Sequence, residues 1–201
     1  MAVQNNETTQ IKILKTAARM FSDKGYDKVT MREIAKEVGI NSASIYYHFS
    51  SKNDILLNLF EFYSEELRKV EPDVKNLLKL AETEAPHDVL MKTEFHYDEK
   101  IRGLLSQILV TATLTSCFDE GSKKFIQESV FAPINTILKP LLERLVELKK
   151  IKPLDIDAFI KLIFCYCFGA VALSNSPLSL SVDEYQAIFS YIYSFIAPIE
   201  Q

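Results

Sequence analysis

The sequence predicts an all-α protein. A small, homeodomain-like helix-turn-helix unit of three helices is followed by a larger helical domain, about nine helices in total. Three observations carry this reading. Gly and Pro are scarce, at 5 and 7 of 201 residues, whereas turn-rich β architectures need both. Apolar residues recur at three- and four-residue intervals and do not alternate. No repeat or low-complexity tract interrupts them. Hydrophobic residues make up 48% of the chain, enough for a sizeable core and too many for a disordered protein.

The first helix is expected over about Gln10 to Asp23, where Ile11, Leu14, Ala18 and Phe21 form one stripe. Thr8 or Thr9 caps its start and Gly25 ends it, after which Tyr26 folds back on the same core. The second begins at Thr30, where Thr30-Met31-Arg32-Glu33 reads as a capping box, and stops at Gly39. Its inner stripe is Met31, Ile34, Ala35 and Val38. A third short helix covers Ser42 to His48, capped by Asn41 and anchored by Ile45 and Phe49. Ser51-Lys52-Asn53-Asp54 opens a fourth, which Pro72 ends. Further helices are expected near 73–83, 88–117, 122–149, 155–174 and 183–197, with Pro133 and Pro140 bending or dividing the third of these. The domain border is placed at residue 52, giving segments 1–52 and 53–201.

The net charge of −4 argues against nucleic acid, but it is unevenly spread. Residues 1–60 hold eight Lys/Arg against six Asp/Glu, and the remainder holds fifteen against twenty-one. A basic head on an acidic body suits a protein that meets phosphate with one end. Cys165 and Cys167 are separated by one residue, so a helix points them about 200° apart and they share neither a metal nor a disulfide. With Cys117 they read as buried structural thiols. Glu94, His96 and Asp98 have no second His or Cys at ligand spacing, so no metal or other cofactor is expected. The N-terminus has no apolar signal region, and no run of eighteen apolar residues occurs. A soluble, cytoplasmic protein is expected.

Two short helices joined by Gly39-Ile40-Asn41 make a helix-turn-helix, which sets its second helix to lie in a DNA major groove. The outer face of that helix, Ser42, Ala43, Ser44, Tyr46, Tyr47 and His48, is small or hydrogen-bonding and carries no acid. A carboxylate there would repel phosphate at close range.

The run from Thr30 to Leu56, TMREIAKEVGINSASIYYHFSSKNDIL, closely resembles the DNA-binding signature of the tetracycline-repressor (TetR) family. Thr30, Ile34-Ala35, Gly39-Ile40, Ile45-Tyr46, His48-Phe49, Lys52 and Leu56 carry the match. Ala17-Ala18, Phe21 and Gly25-Tyr26 extend it into helix one. The resemblance implies a dimeric regulator, by family default a repressor released from a palindromic operator when a small molecule binds the second domain. It implies that Met31 and Arg32 approach the DNA backbone, with Arg32 pairing to phosphate. Ser42, Ala43 and Ser44 would face bases, Ala43 touching a thymine methyl. Tyr46, Tyr47 and His48 would clamp phosphates or bases, and Lys52 would add its charge to the start of helix four.

In the second domain the last two helices, about 155–174 and 183–197, are the expected homodimer contact. Phe159, Ile163, Tyr166 and Ala170 form one stripe there, and Tyr185, Ile188, Phe189, Ile192 and Ile196 form another. Candidate pocket residues are Phe95, His96, Tyr97, Cys117, Phe118, Phe131, Phe164 and Phe168, whose aromatic walls suit a flat or lipophilic effector. An enzyme is disfavoured: the sequence has no Gly-rich phosphate loop, Gly-x-Ser-x-Gly elbow, His-Glu-x-x-His or Cys/His cluster. The remaining rival is a helical carrier or partner-binding module without specific DNA binding.

Overall fold

The computed structural model of the chain describes residues 8–93, 99–115, 119–172 and 180–197. Among these every regular element is helical. In order they are α1 (Thr9–Lys24), a 3₁₀ turn (Tyr26–Lys28), α2 (Met31–Val38), α3 (Ser42–His48), α4 (Lys52–Val70), α5 (Val74–Thr83) and α6 (Pro86–Met91). Then come α7 (Glu99–Thr115), α8 (Glu120–Phe125), a π-helical segment (Ile126–Phe131), α9 (Ala132–Glu147), α10 (Ile156–Ala172) and α11 (Val182–Ser194).

Caps set the early boundaries. The Ile11 amide donates to Thr8 Oγ1 at 3.4 Å, and Gly25 ends α1 at φ 86°. The Thr30 box closes in both directions: the Glu33 amide donates to Thr30 Oγ1, and the Thr30 amide and hydroxyl donate to Glu33 Oε2. Gly39 turns α2 off in the left-handed region at φ 82°, where a Cβ would be strained. The second half of the expected Ser51–Asp54 box is displaced by one residue. The Asp54 amide does donate to Ser51 Oγ at 3.0 Å, but the Asp54 carboxylate accepts from the Ser50 amide at 2.7 Å.

The described residues pack into two compact units. The first holds α1–α3, α4 to Glu66, α7 and α8 to Ile126; the second holds the rest. Packing therefore groups α7 and α8 with the N-terminal helices, whereas the border at residue 52 follows the motif alone. The core of the first unit runs from Ile13, Ala17 and Phe21 through Ile34, Ile45 and Phe49 to Ile55, Leu59, Ile108 and Ala112, each at most 1% exposed. The core of the second is built on Leu77, Ala81, Val89 and Leu90, the α9 stripe Ile137, Leu141, Leu142 and Leu145, and Ile160, Ile163, Phe189 and Tyr193.

Both prolines of the 122–149 segment lie within helical backbone, so that segment bends its hydrogen-bond register and is not cut. Pro133 sits in the first turn of α9 directly after the π segment. Proline lacks an N–H and its ring crowds the carbonyl four residues back, and the wider π turn removes that crowding. Pro140 lies inside α9.

Two expectations about α10 and α11 are corrected. Phe159, Ile163, Phe189 and Ile196 are buried in the core of their own unit and do not face outward. Of the expected stripes Ile188 is exposed, and among the described residues it is joined by Leu162 on α10, Tyr191 on α11 and Phe195 just past its end. Cys165 is likewise exposed, not a buried thiol, and Cys167 is half-buried. The α10 segment is strongly apolar apart from Asp157 and Lys161, so spacing alone does not separate its inner apolar residues from its outer ones.

Candidate nucleic-acid interface

The interface is built on α3. Asn41 starts the helix by accepting the Ala43 amide on Oδ1 at 2.6 Å, and the Ser44 amide donates to the Asn41 carbonyl. Ile45 and Phe49, at 0% and 1% exposed, are the two pins that hold so short a helix to the body. The other residues of α3, His48 apart, point outward. Ser42, Ala43 and Ser44 are exposed, Tyr46 is 54% exposed and Tyr47 is 89% exposed. His48 is half-buried, its ring edge-on to Tyr47 with centroids 5.5 Å apart. No Asp or Glu occurs between Glu37 and Asp54, so the whole stretch around the helix is free of acid.

The turn that presents α3 is tightly tied. The Gly39 amide donates to Lys36 O, and the Ile40 amide reaches back to Ala35 O at 2.9 Å, closing a Schellman-type end. Arg19 and Glu37 pair at 2.6 Å and join α1 to α2 across their exposed sides. At the start of α2 the hydroxyl and amide of Thr30 hold the Glu33 carboxyl below its ordinary pKa.

The predicted contact residues divide on inspection. Arg32 is exposed on the first turn of α2, as a phosphate contact requires. Met31 is 8% exposed and packs inward, because the stripe it shares with Ile34 and Ala35 must be covered; its side chain is a core group, where the sequence pointed it at the DNA backbone. Lys52 is half-buried and already engaged. Its Nζ donates to the Tyr26 carbonyl at 2.7 Å and lies 4.2 Å from the centre of the Tyr26 ring. Sequence reasoning missed Tyr26 as a partner; the only signal was an aromatic residue directly after Gly25.

Known proteins with this arrangement agree. The family described as bacterial regulatory proteins, tetR family, matches residues 13–59. The biofilm operon icaADBC HTH-type negative transcriptional regulator IcaR of Staphylococcus epidermidis is 30% identical over 159 residues, covering 77% of this chain and 78% of that protein. The chain belongs to the TetR family. It is a helix-turn-helix transcriptional regulator. The IcaR of Staphylococcus aureus strain Newman is 54% identical over 44 residues, 22% of this chain and 24% of that one. Among solved structures, the TetR-family regulator PfmR from Thermus thermophilus superposes with TM-score 0.67 at 21% identity, covering 94% of this chain and 99% of that chain. A putative regulator from Saccharomonospora viridis in complex with choline gives 0.62 at 21% identity, covering 94% and 98%. At such identities these two likenesses speak to the fold.

Of the pocket candidates in this TetR-family regulator, Phe95, His96, Tyr97, Cys117 and Phe118 lie outside the described residues. Phe131, Phe164 and Phe168 are brought together: Phe131 meets Phe164 edge-on at 5.1 Å, and Phe164 stacks on Phe168 at 5.3 Å. All three are half-buried. A separate cavity of about 310 Å³ is lined by Pro86, His87, Leu90, Ile151, Tyr193 and Ile196, none of which was singled out from the sequence as a pocket residue. No cluster of three metal-ligating side chains occurs among the described residues, and no described helix is long and apolar enough to cross a membrane.

Proposed function

We propose that this regulator is a homodimeric repressor that reads a palindromic operator with α3 and releases it when a small molecule enters the second domain. The observation that carries the reading is the outward, acid-free face of α3, with Tyr47 standing almost wholly in solvent. Residues 1–52 act as the reader. Ser42, Ala43 and Ser44 are small enough to let the helix backbone approach base edges, where Ser exchanges hydrogen bonds with either partner type and Ala43 meets a thymine methyl. Tyr46, Tyr47 and His48 flank the groove and Arg32 pairs with a phosphate, which fixes register without reading sequence.

Dimerisation uses α10 and α11 through Leu162, Ile188, Tyr191 and Phe195, apolar groups that a lone protomer leaves in water. A two-fold axis through such a face gives a four-helix contact and spaces two α3 helices by about 34–36 Å, one turn of DNA, or a multiple of it. The effector is lipophilic or aromatic and lies against Phe131, Phe164 and Phe168. A coupling of about 1–3 kcal/mol between the sites suffices to change operator affinity many-fold. The protein acts where the chromosome is, in the cytoplasm.

The test is selection of bound duplexes from a random pool with the full-length protein, followed by titration of the selected duplex at rising salt and with candidate effectors. A palindromic consensus, a steep fall of affinity with salt and release by a lipophilic compound are expected. Weak, salt-independent association without a consensus would instead make the chain a carrier or partner-binding module.

A further inference from the structure

The cavity of about 310 Å³ lies between α6, α11 and the loop joining α9 to α10, and it shares no lining residue with the Phe131, Phe164 and Phe168 cluster. We infer that it is a second small-molecule site, for a neutral lipophilic alcohol or phenol, and that its occupant bears on dimerisation through α11. The coupling rests on the dimer face proposed above; the site itself does not.

Size and walls define the class of ligand. The floor is apolar: Leu90, Ile151, Tyr193 and Ile196 line it and are at most 6% exposed. The Tyr193 ring is a fixed wall, held edge-on to Phe189 at 4.6 Å within the core of its unit. The rim is exposed and polar, with His87 and Ser194. At the roughly 30 Å³ that a water-sized group occupies in a liquid, the cavity holds about ten non-hydrogen atoms.

None of the described lining residues is Lys, Arg, Asp or Glu. A charged ligand would give up water there without meeting a counter-charge, so a neutral one is favoured. Ser194 narrows the class further. Its hydroxyl donates to the Tyr191 carbonyl at 2.6 Å, so its one proton is spent and its oxygen is left to accept. A ligand that meets Ser194 must bring an O–H donor, which an alcohol or phenol has and a ketone or ether lacks.

The cavity and the proposed dimer ridge share α11 as a wall. Ser190, Tyr193 and Ser194 stand at i, i+3 and i+4 on its cavity face, whereas Ile188, Tyr191 and Phe195 stand on another. The Ser194–Tyr191 hydrogen bond ties the two faces together at the last turn. A molecule that fills the cavity therefore presses on the same helix that carries the ridge.

The experiment titrates the full chain, labelled at Ile and Leu methyl groups, with n-octanol and separately with octanoate at neutral pH. The methyl signals of Leu90, Ile151 and Ile196 are followed, and sedimentation velocity gives the dimer dissociation constant in each arm. Saturable movement of the three signals with n-octanol is expected, with octanoate at least about tenfold weaker. Ser194→Ala should weaken octanol binding about threefold. Ser190→Phe and Ala197→Trp, which fill the cavity from its half-buried wall and its exposed rim, should abolish the movement with helical circular dichroism intact. Octanol should shift the dimer dissociation constant of wild type at least about fivefold and leave that of Ser190→Phe unmoved. Signals that do not saturate, that respond equally to octanoate, or that still move in both filled variants overturn the site. Saturable binding with an unmoved dimer constant overturns the coupling. A wild type that is monomeric at every concentration refutes the dimer face, and the methyl titration then still decides the site.

Discussion

Phe60 and Phe125 stack face to face, with ring centroids 4.2 Å apart and planes 5° from parallel. Tyr63 meets the same Phe125 ring edge-on at 5.2 Å. Phe60 and Phe125 are nearly excluded from water, at 5% and 6% exposed, so α4 grips the end of α8 through one aromatic sandwich. Removing one ring leaves a cavity that the surrounding side chains refill only in part. Phe125→Ala is expected to cost about 3–5 kcal/mol of stability, read from the urea midpoint at constant slope. A loss under about 1 kcal/mol would show that the stack contributes little beyond its contacts.

Tyr47 tests the opposite case, a large aromatic side chain with almost no burial. At 89% exposed it has little to lose in the free protein. Tyr47→Ala should therefore leave the melting temperature nearly unchanged while weakening operator binding at least about tenfold. Fluorescence anisotropy on the selected duplex beside a thermal melt separates the two effects. Equal binding by the variant would remove Tyr47 from the interface.

The Thr30–Glu33 cap gives a pH signature. Hydrogen bonds from the Thr30 hydroxyl and amide lower the Glu33 pKa in the folded protein. A carboxyl with a folded pKa below its unfolded one adds stability that is fully present above the unfolded value and is lost as pH falls through the folded one. Wild type should thus exceed Glu33→Gln in stability at neutral pH, and the gap should narrow on acidification through the carboxylate range. A gap that is constant between neutral and acid pH would mean that ionised Glu33 adds nothing the amide cannot.

Leu162 and Tyr191 test the proposed dimer face. They are 52% and 65% exposed, and Tyr191 packs edge-on against Phe195 at 5.0 Å to form one apolar ridge. Leu162→Glu combined with Tyr191→Glu places like charges across a two-fold axis and should raise the dimer dissociation constant at least about hundredfold. Sedimentation velocity should then find monomers whose helical circular dichroism is intact. Persisting dimers would move the interface elsewhere.

How much of this was legible depends on how local each feature is. Thr8, Thr30, Asn41, Gly25 and Gly39 determine helix ends through contacts within a few residues, and those helices began and ended where the residues indicated. The inward direction of Ile45 and Phe49 followed because α3 has so few apolar residues that only one face could be covered. The partner of Lys52 was not legible, because it lies 26 residues away and depends on how the 3₁₀ turn folds back. Met31 was ambiguous for a related reason: a first-turn residue is both near the DNA end of α2 and on its inner stripe.

The sequence by itself determined the helical class, the caps, the turn and the acid-free face of α3, because short-range hydrogen bonding and apolar spacing are written in neighbouring residues. The tertiary structure alone decided which apolar residues of α10 and α11 are core, because both helices carry more apolar residues than one face can bury and only the neighbours decide which are covered. It alone also set the half-buried Lys52 against a carbonyl and a ring, a choice made by atoms that meet only after folding.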